Sequence, residues 1–131
     1  MIVIGIGSQS TATVEDVDAM ITDAEAEAGI ACSCVATLAR GAADVVVVQA
    51  AARRGYQMRL LSKTDLVARS ADCVTRSQAS LDAHGVHSVA EAAALAAAGQ
   101  GSRLILLRLQ HQRVTAAVAA SADDDIMETK R

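Results

Sequence analysis

Ile2-Val3-Ile4-Gly5-Ile6-Gly7-Ser8-Gln9-Ser10-Thr11-Ala12-Thr13-Val14-Glu15-Asp16 passes from a β-branched apolar run, through glycines and small polar residues, into an acidic helix start. Residues 2 to 6 read as a short buried strand. The segment from Gly5 to Ser10 supplies a glycine-containing turn. Thr13 then predicts an N-cap for a helix over about residues 14 to 28. Glu15 and Asp16 suit the positive end of that helix, and Gly29 ends it.

The same alternation continues outward. Residues 30 to 38 read as a second strand. The run from Asp44 to Gly55 holds four consecutive valines, which favour a strand. Its length, acidic start, closing arginines and final glycine favour a helix, and these decide the reading. Residues 57 to 61 form a strand, Ser62 to Leu66 opens a short helix, and residues 77 to 83 are helical. Strands follow at about 103 to 108 and 113 to 119, joined as a hairpin through Leu109-Gln110-His111-Gln112. Strands alternating with helices predict a single α/β domain over residues 1 to 120. Its expected form is a three-layer α/β/α sandwich whose mostly parallel sheet the hairpin makes mixed. Residues 121 to 131 form a charged tail.

Gly85-Val86-His87-Ser88-Val89-Ala90-Glu91-Ala92-Ala93-Ala94-Leu95 carries the most specific local signal. Ser88 and Glu91 have the spacing of a capping box. The serine hydroxyl accepts from the amide three residues on, and the glutamate reaches back to the serine amide. The alanines that follow favour a helix over residues 88 to 98, with Gly99 as its stop.

Composition narrows the function classes. The chain has 131 residues, 52 % of them apolar, with one tyrosine and no Phe, Trp or Pro. Its core must be aliphatic. The scarcity of aromatic platforms and the net charge of −3 argue against nucleic-acid binding. Asp123, Asp124, Asp125 and Glu128 against Lys130 and Arg131 give the tail a net of −2, the pattern of a solvated, frayed terminus. The rest of the chain is nearly neutral. No apolar run approaches the roughly 20 residues that span a bilayer, and Met1 leads into Ile2 without a basic leader. Three cysteines without a disulfide spacing fit a reducing compartment, so the expected location is the cytoplasm.

Four constellations bear on chemistry. Gly5-x-Gly7-x-x-Ser10 is either a plain strand-to-helix turn or an anion cradle; as a dinucleotide fingerprint it lacks the third glycine. Cys32-x-Cys34 would share one face of a strand, but buried packing explains these thiols better than a metal, and no metal site is expected. The spacing of His84 and His87 around Gly85 is not that of helical metal ligands. Arg40-Gly41-Ala42-Ala43-Asp44 lies where open α/β sheets bind ligands. There Arg40 can clamp a carboxylate, and Asp44 is a base or a helix-start residue. Glu91 is explained by its capping box, although the amides at that helix start remain an anion site.

These segments together resemble the CobE/CbiG C-terminal family of cobalamin biosynthesis. The resemblance covers about residues 2 to 119. It rests on Ile4 to Ser8, Thr11 to Val17, Ala36-Thr37, Ala51 to Gly55, Arg59 to Ser62, Ser77, Gly85 to Leu95 and Val114 to Ala119. Ser8-Gln9 stands where the family often has Cys-Arg, and Gly41 and Asp44 replace a lysine and a glutamate. What the resemblance implies is work on a precorrin or cobalt-precorrin in corrin-ring construction. Two-part members open the ring-A lactone of cobalt-precorrin-5A with release of acetaldehyde, and this chain resembles only their C-terminal part.

The resulting expectation is a tetrapyrrole-binding protein that uses loops 7 to 10, 40 to 44 and 87 to 91. Gly5, Gly7, Ser8, Gln9, Arg40, His87, Ser88 and Val89 are the expected binding residues. Asp44 and Glu91 are the candidates for a water-activating base. No cofactor is expected. Alternatives are a non-catalytic partner of another pathway enzyme and, less well supported, a nucleotide-binding enzyme; a homodimer is open. On the capping-box reading, Glu91→Gln leaves ligand binding largely intact.

Overall fold

A computed structural model describes residues 1–124, apart from the side chains of Ala42 and Ala43. Five strands form one sheet: β1 (Ile2–Ser8), β2 (Cys34–Leu38), β3 (Gln57–Leu61), β4 (Arg103–His111) and β5 (Val114–Ala120). Their order is β3-β2-β1-β5-β4. β1, β2 and β3 pair in parallel, while β5 is antiparallel to both β1 and β4. Only β5 therefore runs against the others, and the sheet is mixed as expected. The right-hand pairing is a hairpin, which needs no crossover helix.

Five α-helices cover the two faces: α1 (Val14–Ala28), α2 (Val45–Arg54), α3 (Lys63–Val67), α4 (Gln78–His84) and α5 (Val89–Ala98). Alternation along β1 explains the layering. Ile2, Ile4 and Ile6 pack with Val17, Met20, Ile21, Val47, Ala50 and Ala51 of α1 and α2. Val3 points the other way, into a cluster with Leu66 of α3 and the alanines of α5. The three layers follow from that two-residue period.

Local signals account for most boundaries. Thr13 caps α1 in a full capping box with Asp16, and Ser62 does the same for α3 with Asp65. The valine run is helical, with Val47 buried and Val45 and Val48 facing solvent. Its end is set by Gly55, whose φ of 71° few other residues tolerate. Two boundaries move. β2 begins at Cys34 rather than residue 30, because the Glu25 carboxylate holds the Cys32 amide at 2.7 Å and keeps that segment out of the sheet. β4 runs through His111, so the hairpin turn is Gln112-Arg113, with Gln112 at φ 51°.

One charged network ties α1 to α2. Arg54 bonds Asp18, Thr22 and Glu25, and the Tyr56 hydroxyl donates to the same Glu25 at 2.7 Å. No helix among the described residues is long and apolar enough to cross a membrane. Residues 121 to 124 turn back against the start of β1, where the Met1 amino group meets Ser121 and Asp124. The rest of the tail, 125 to 131, lies outside the described residues.

Cys32 and Cys34 do not share a face. Cys32 joins the core beneath α1, and Cys34 joins the one beneath α5 with Cys73. Burial pushes the Cys32 thiol up to about 12, and burial together with the neighbouring Glu91 carboxylate pushes Cys73 up to about 11. Burial raises Cys34 as well. The thiolate is the reactive form. All three cysteines are therefore expected to resist iodoacetamide at pH 8 in the folded chain and to alkylate fully in denaturant. Mass spectrometry of the intact protein checks this, and labelling at the native rate of a free peptide would contradict it.

Candidate functional site

A cleft of about 250 Å³ opens at the edge of the sheet where β1, β2 and β3 end. This edge collects the loop after β1, the loop after β2, the start of α5 and the β4–β5 turn, because β5 enters the sheet from the same side. Gly7, Ser8 and Gln9 form one wall and Arg40 the next. Val89 supplies an apolar patch. Arg108 and Gln110 of β4, Arg113 of the turn, and Ser80 and His84 of α4 complete it.

Charge is its main property. Among the described residues three arginines border the cleft and no Asp or Glu does, in a chain of net charge −3. Arg40 donates to the main-chain carbonyl of Ser8, which fixes its guanidinium across the end of β1. The Arg108 side chain is half-buried and has no hydrogen-bond or ion-pair partner among the described residues. Arg113 reaches Asp16 only at 3.9 Å. The Ser8 hydroxyl is buried without a partner. Burial, then the positive charges of Arg40 and Lys63, hold the His84 imidazole below its ordinary value. Three guanidinium groups along one cleft, that of Arg108 without a partner among the described residues, suit an anion with several oxygens.

The expected site residues divide. Gly7, Ser8, Gln9, Arg40 and Val89 come together in the cleft. Gly5, Asp44, His87, Ser88 and Glu91 are absent from its lining. Gly5 lies inside β1 rather than in a turn, and a Cβ there would sit 1.9 Å from the Ala90 carbonyl of α5. Its role is close helix–strand contact. Asp44 turns back on its own loop, accepting from the amides of Arg40 at 2.7 Å and Gly41 at 3.0 Å, and so shapes the short 3-10 helix Gly41–Asp44. His87 accepts the Ser77 amide on Nδ1 at 3.1 Å. Ser88 caps α5, accepting the Glu91 amide at 3.1 Å, and is itself buried.

The reciprocal half of the expected capping box is missing. The Glu91 side chain does not return to Ser88 but runs across the core, fully buried. One oxygen accepts the amides of Val74 at 2.8 Å and Thr75 at 3.0 Å; the other accepts the Thr75 hydroxyl at 2.6 Å and the Arg108 amide at 3.0 Å. Longer-range donors outcompete the local amide because the 74–75 segment and β4 present theirs in a dry interior. Glu91 therefore fixes the strand position from which Arg108 reaches the cleft.

Sequence reasoning missed Arg108 and Arg113 and treated His84 only as an unsuitable metal ligand. Arg108 had a signal, a charge interrupting the apolar run Leu104-Ile105-Leu106-Leu107 before Leu109. Arg113 had none, since only the hairpin register brings it to this edge.

Comparisons with known proteins agree with this architecture. The sequence pattern of the family described as "Cobalamin synthesis G C-terminus" matches residues 2–119. A crystal structure of CobE, a protein from the cobalamin (vitamin B12) biosynthetic pathway, superposes with a TM-score of 0.84 at 24 % identity, covering 91 % of this chain and 92 % of that one. The crystal structure of the cobalamin biosynthesis protein chiG from Agrobacterium tumefaciens gives a TM-score of 0.78 at 37 % identity, covering 94 % of this chain and all of that one. No curated protein matches the sequence. With the family pattern spanning residues 2–119 of its 131, this chain belongs to the cobalamin synthesis G C-terminal family of cobalamin biosynthesis proteins.

Proposed function

We propose that the chain binds a precorrin or cobalt-precorrin intermediate by its peripheral carboxylates, in the cleft at the C-terminal edge of the sheet. The observation that carries this reading is the convergence of Arg40, Arg108 and Arg113 on one cleft that no acidic residue lines among the described residues. A macrocycle fringed with acetate and propionate groups is the kind of anion such a cleft suits. Its 250 Å³ falls below the roughly 300–1,000 Å³ of pockets that enclose drug-sized ligands. The cleft thus takes one edge of the ring and leaves the rest outside.

Binding is better supported than hydrolysis. A general base for lactone opening must reach a water beside the substrate. Asp44 and Glu91, the two carboxylates considered for that task, are occupied by main-chain amides away from the cleft. A docking role on another pathway enzyme is the second reading. It draws on Val45 and Val48 of α2 and Leu60 of the edge strand β3, all large apolar residues left exposed. It predicts weak binding of the macrocycle alone.

Titration of the protein into a corrinoid with free peripheral carboxylates, followed by its visible spectrum, tests the reading. Arg108→Ala removes a side chain with no partner among the described residues, so stability should be nearly unchanged. Affinity should fall roughly 10- to 100-fold, the worth of one charge-assisted hydrogen bond of about 1.5–3 kcal/mol. Equal affinity of the variant and the parent would count against the cleft.

A further inference from the structure

His84 is the one group in the cleft lining whose ordinary titration lies near neutral pH. Its half-buried ring has no hydrogen-bond partner among the described residues. Among the described residues the charged groups that face it are positive. Arg40 comes from the loop after β2, Lys63 comes from α3, and Arg108 stands in the same lining on β4. On its own helix Asp82 is held by the Gln78 amide, and at the start of α5 the His87 Nδ1 is taken by the Ser77 amide. Among the described residues no carboxylate is thus supplied to compensate an imidazolium here.

We propose that His84 is a carboxylate-binding group of the cleft that takes up one proton as an anionic ligand arrives, so that ligand binding and protonation are a single event. The inference rests on the ligand reading above and adds the residue and its proton. In the free protein partial burial, then the positive charges of Arg40 and Lys63, favour the neutral ring. A ligand carboxylate placed between Arg40 and His84 cancels that repulsion and accepts a hydrogen bond from the imidazolium. The proton comes from solvent and is released when the ligand leaves.

The sign follows from linkage. A ligand that favours the protonated ring raises its titration point in the complex above that of the free protein. Affinity is then greatest at low pH and falls as pH rises between those two points, by at most about tenfold per pH unit for one proton. The peripheral carboxylates of the ligand stay ionised above about pH 5.5, so their own titration does not mimic the effect.

Calorimetric titration with cobyrinic acid, a corrin bearing free carboxylates, tests this between about pH 5.5 and 7.5. Runs in two buffers of different ionisation enthalpy give the protons taken up directly. The expected result is uptake approaching one proton per ligand and a roughly three- to tenfold loss of affinity per pH unit. His84→Gln should lose the affinity that the parent gains toward pH 5.5, leaving weaker binding with a flat pH dependence and no buffer-dependent heat. Binding by the parent protein with no proton uptake would overturn the role of His84 while leaving the ligand reading intact. Proton uptake preserved in His84→Gln would overturn it equally. No binding at any pH would remove both proposals.

Discussion

Alanine at position 5 should prevent α5 from seating on the sheet and cost about 4 kcal/mol or more, beyond the roughly 1–3 kcal/mol of ordinary core overpacking. The added Cβ would lie 1.9 Å from the Ala90 carbonyl and 2.7 Å from the Ala94 amide nitrogen. Both obstacles are helix backbone, so no side-chain rotation relieves them. α5 would have to withdraw, opening a core otherwise made of Ala90, Ala93, Ala94 and Leu95 packed against Val3 and Ala117. Total stabilities of about 5–15 kcal/mol leave little room for such a loss. Gly7→Ala is the contrast. Its nearest obstacle is the Thr115 hydroxyl at 2.6 Å, the end of a rotatable side chain. Its expected cost is about 1 kcal/mol. Equilibrium denaturation of the two variants checks the order. Equal midpoints would show that α5 does not depend on this contact.

Glu91→Ala is the second large effect, an expected loss of about 3–5 kcal/mol. Four donors converge on that carboxylate: the amides of Val74, Thr75 and Arg108 and the Thr75 hydroxyl. Each buried donor left without an acceptor costs about 1–3 kcal/mol, reduced where water can enter the vacated space. Glu91→Gln keeps the shape and one oxygen. Its amide nitrogen must then face either the Arg108 amide or the Val74 and Thr75 amides, so roughly 2 kcal/mol is expected. Ligand binding should weaken in both variants, because the strand position of Arg108 loosens. This reverses the expectation drawn from the capping box alone, in which the glutamine variant bound ligand normally. Thermal melts and corrinoid titrations of the two variants together decide it. A glutamine variant with parental stability and affinity would restore the local reading.

These two residues show what can be read from the chain and what cannot. Local signals act through hydrogen bonds a few residues long, so Thr13 and Ser88 were recognisable as caps and Gly29, Gly55 and Gly99 as helix ends. The four valines of α2 were decided correctly by their flanks. Gly5 was visible as a glycine, but its purpose depends on α5, some 85 residues away, lying against β1. Glu91 carried a local explanation that was sufficient by spacing and incomplete in three dimensions. Among the ligand loops, the ends of β1 and β2 were legible because open α/β sheets bind at that edge. Arg108 and Arg113 were not, because a strand reversed by a two-residue turn brings them there, and register leaves no trace in composition. Family resemblance named the pathway, but the cationic cleft emerged only from the packed strands.

The most direct test of the carboxylate cleft is a crystal structure of the chain with a carboxylate-bearing corrinoid. The account predicts one edge of the ring in the cleft, with peripheral carboxylates within hydrogen-bond distance of Arg40, Arg108 and Arg113 and the remainder of the ring outside it. A corrinoid seated instead on the exposed face of α2 and β3, with the arginine cleft empty, would contradict it.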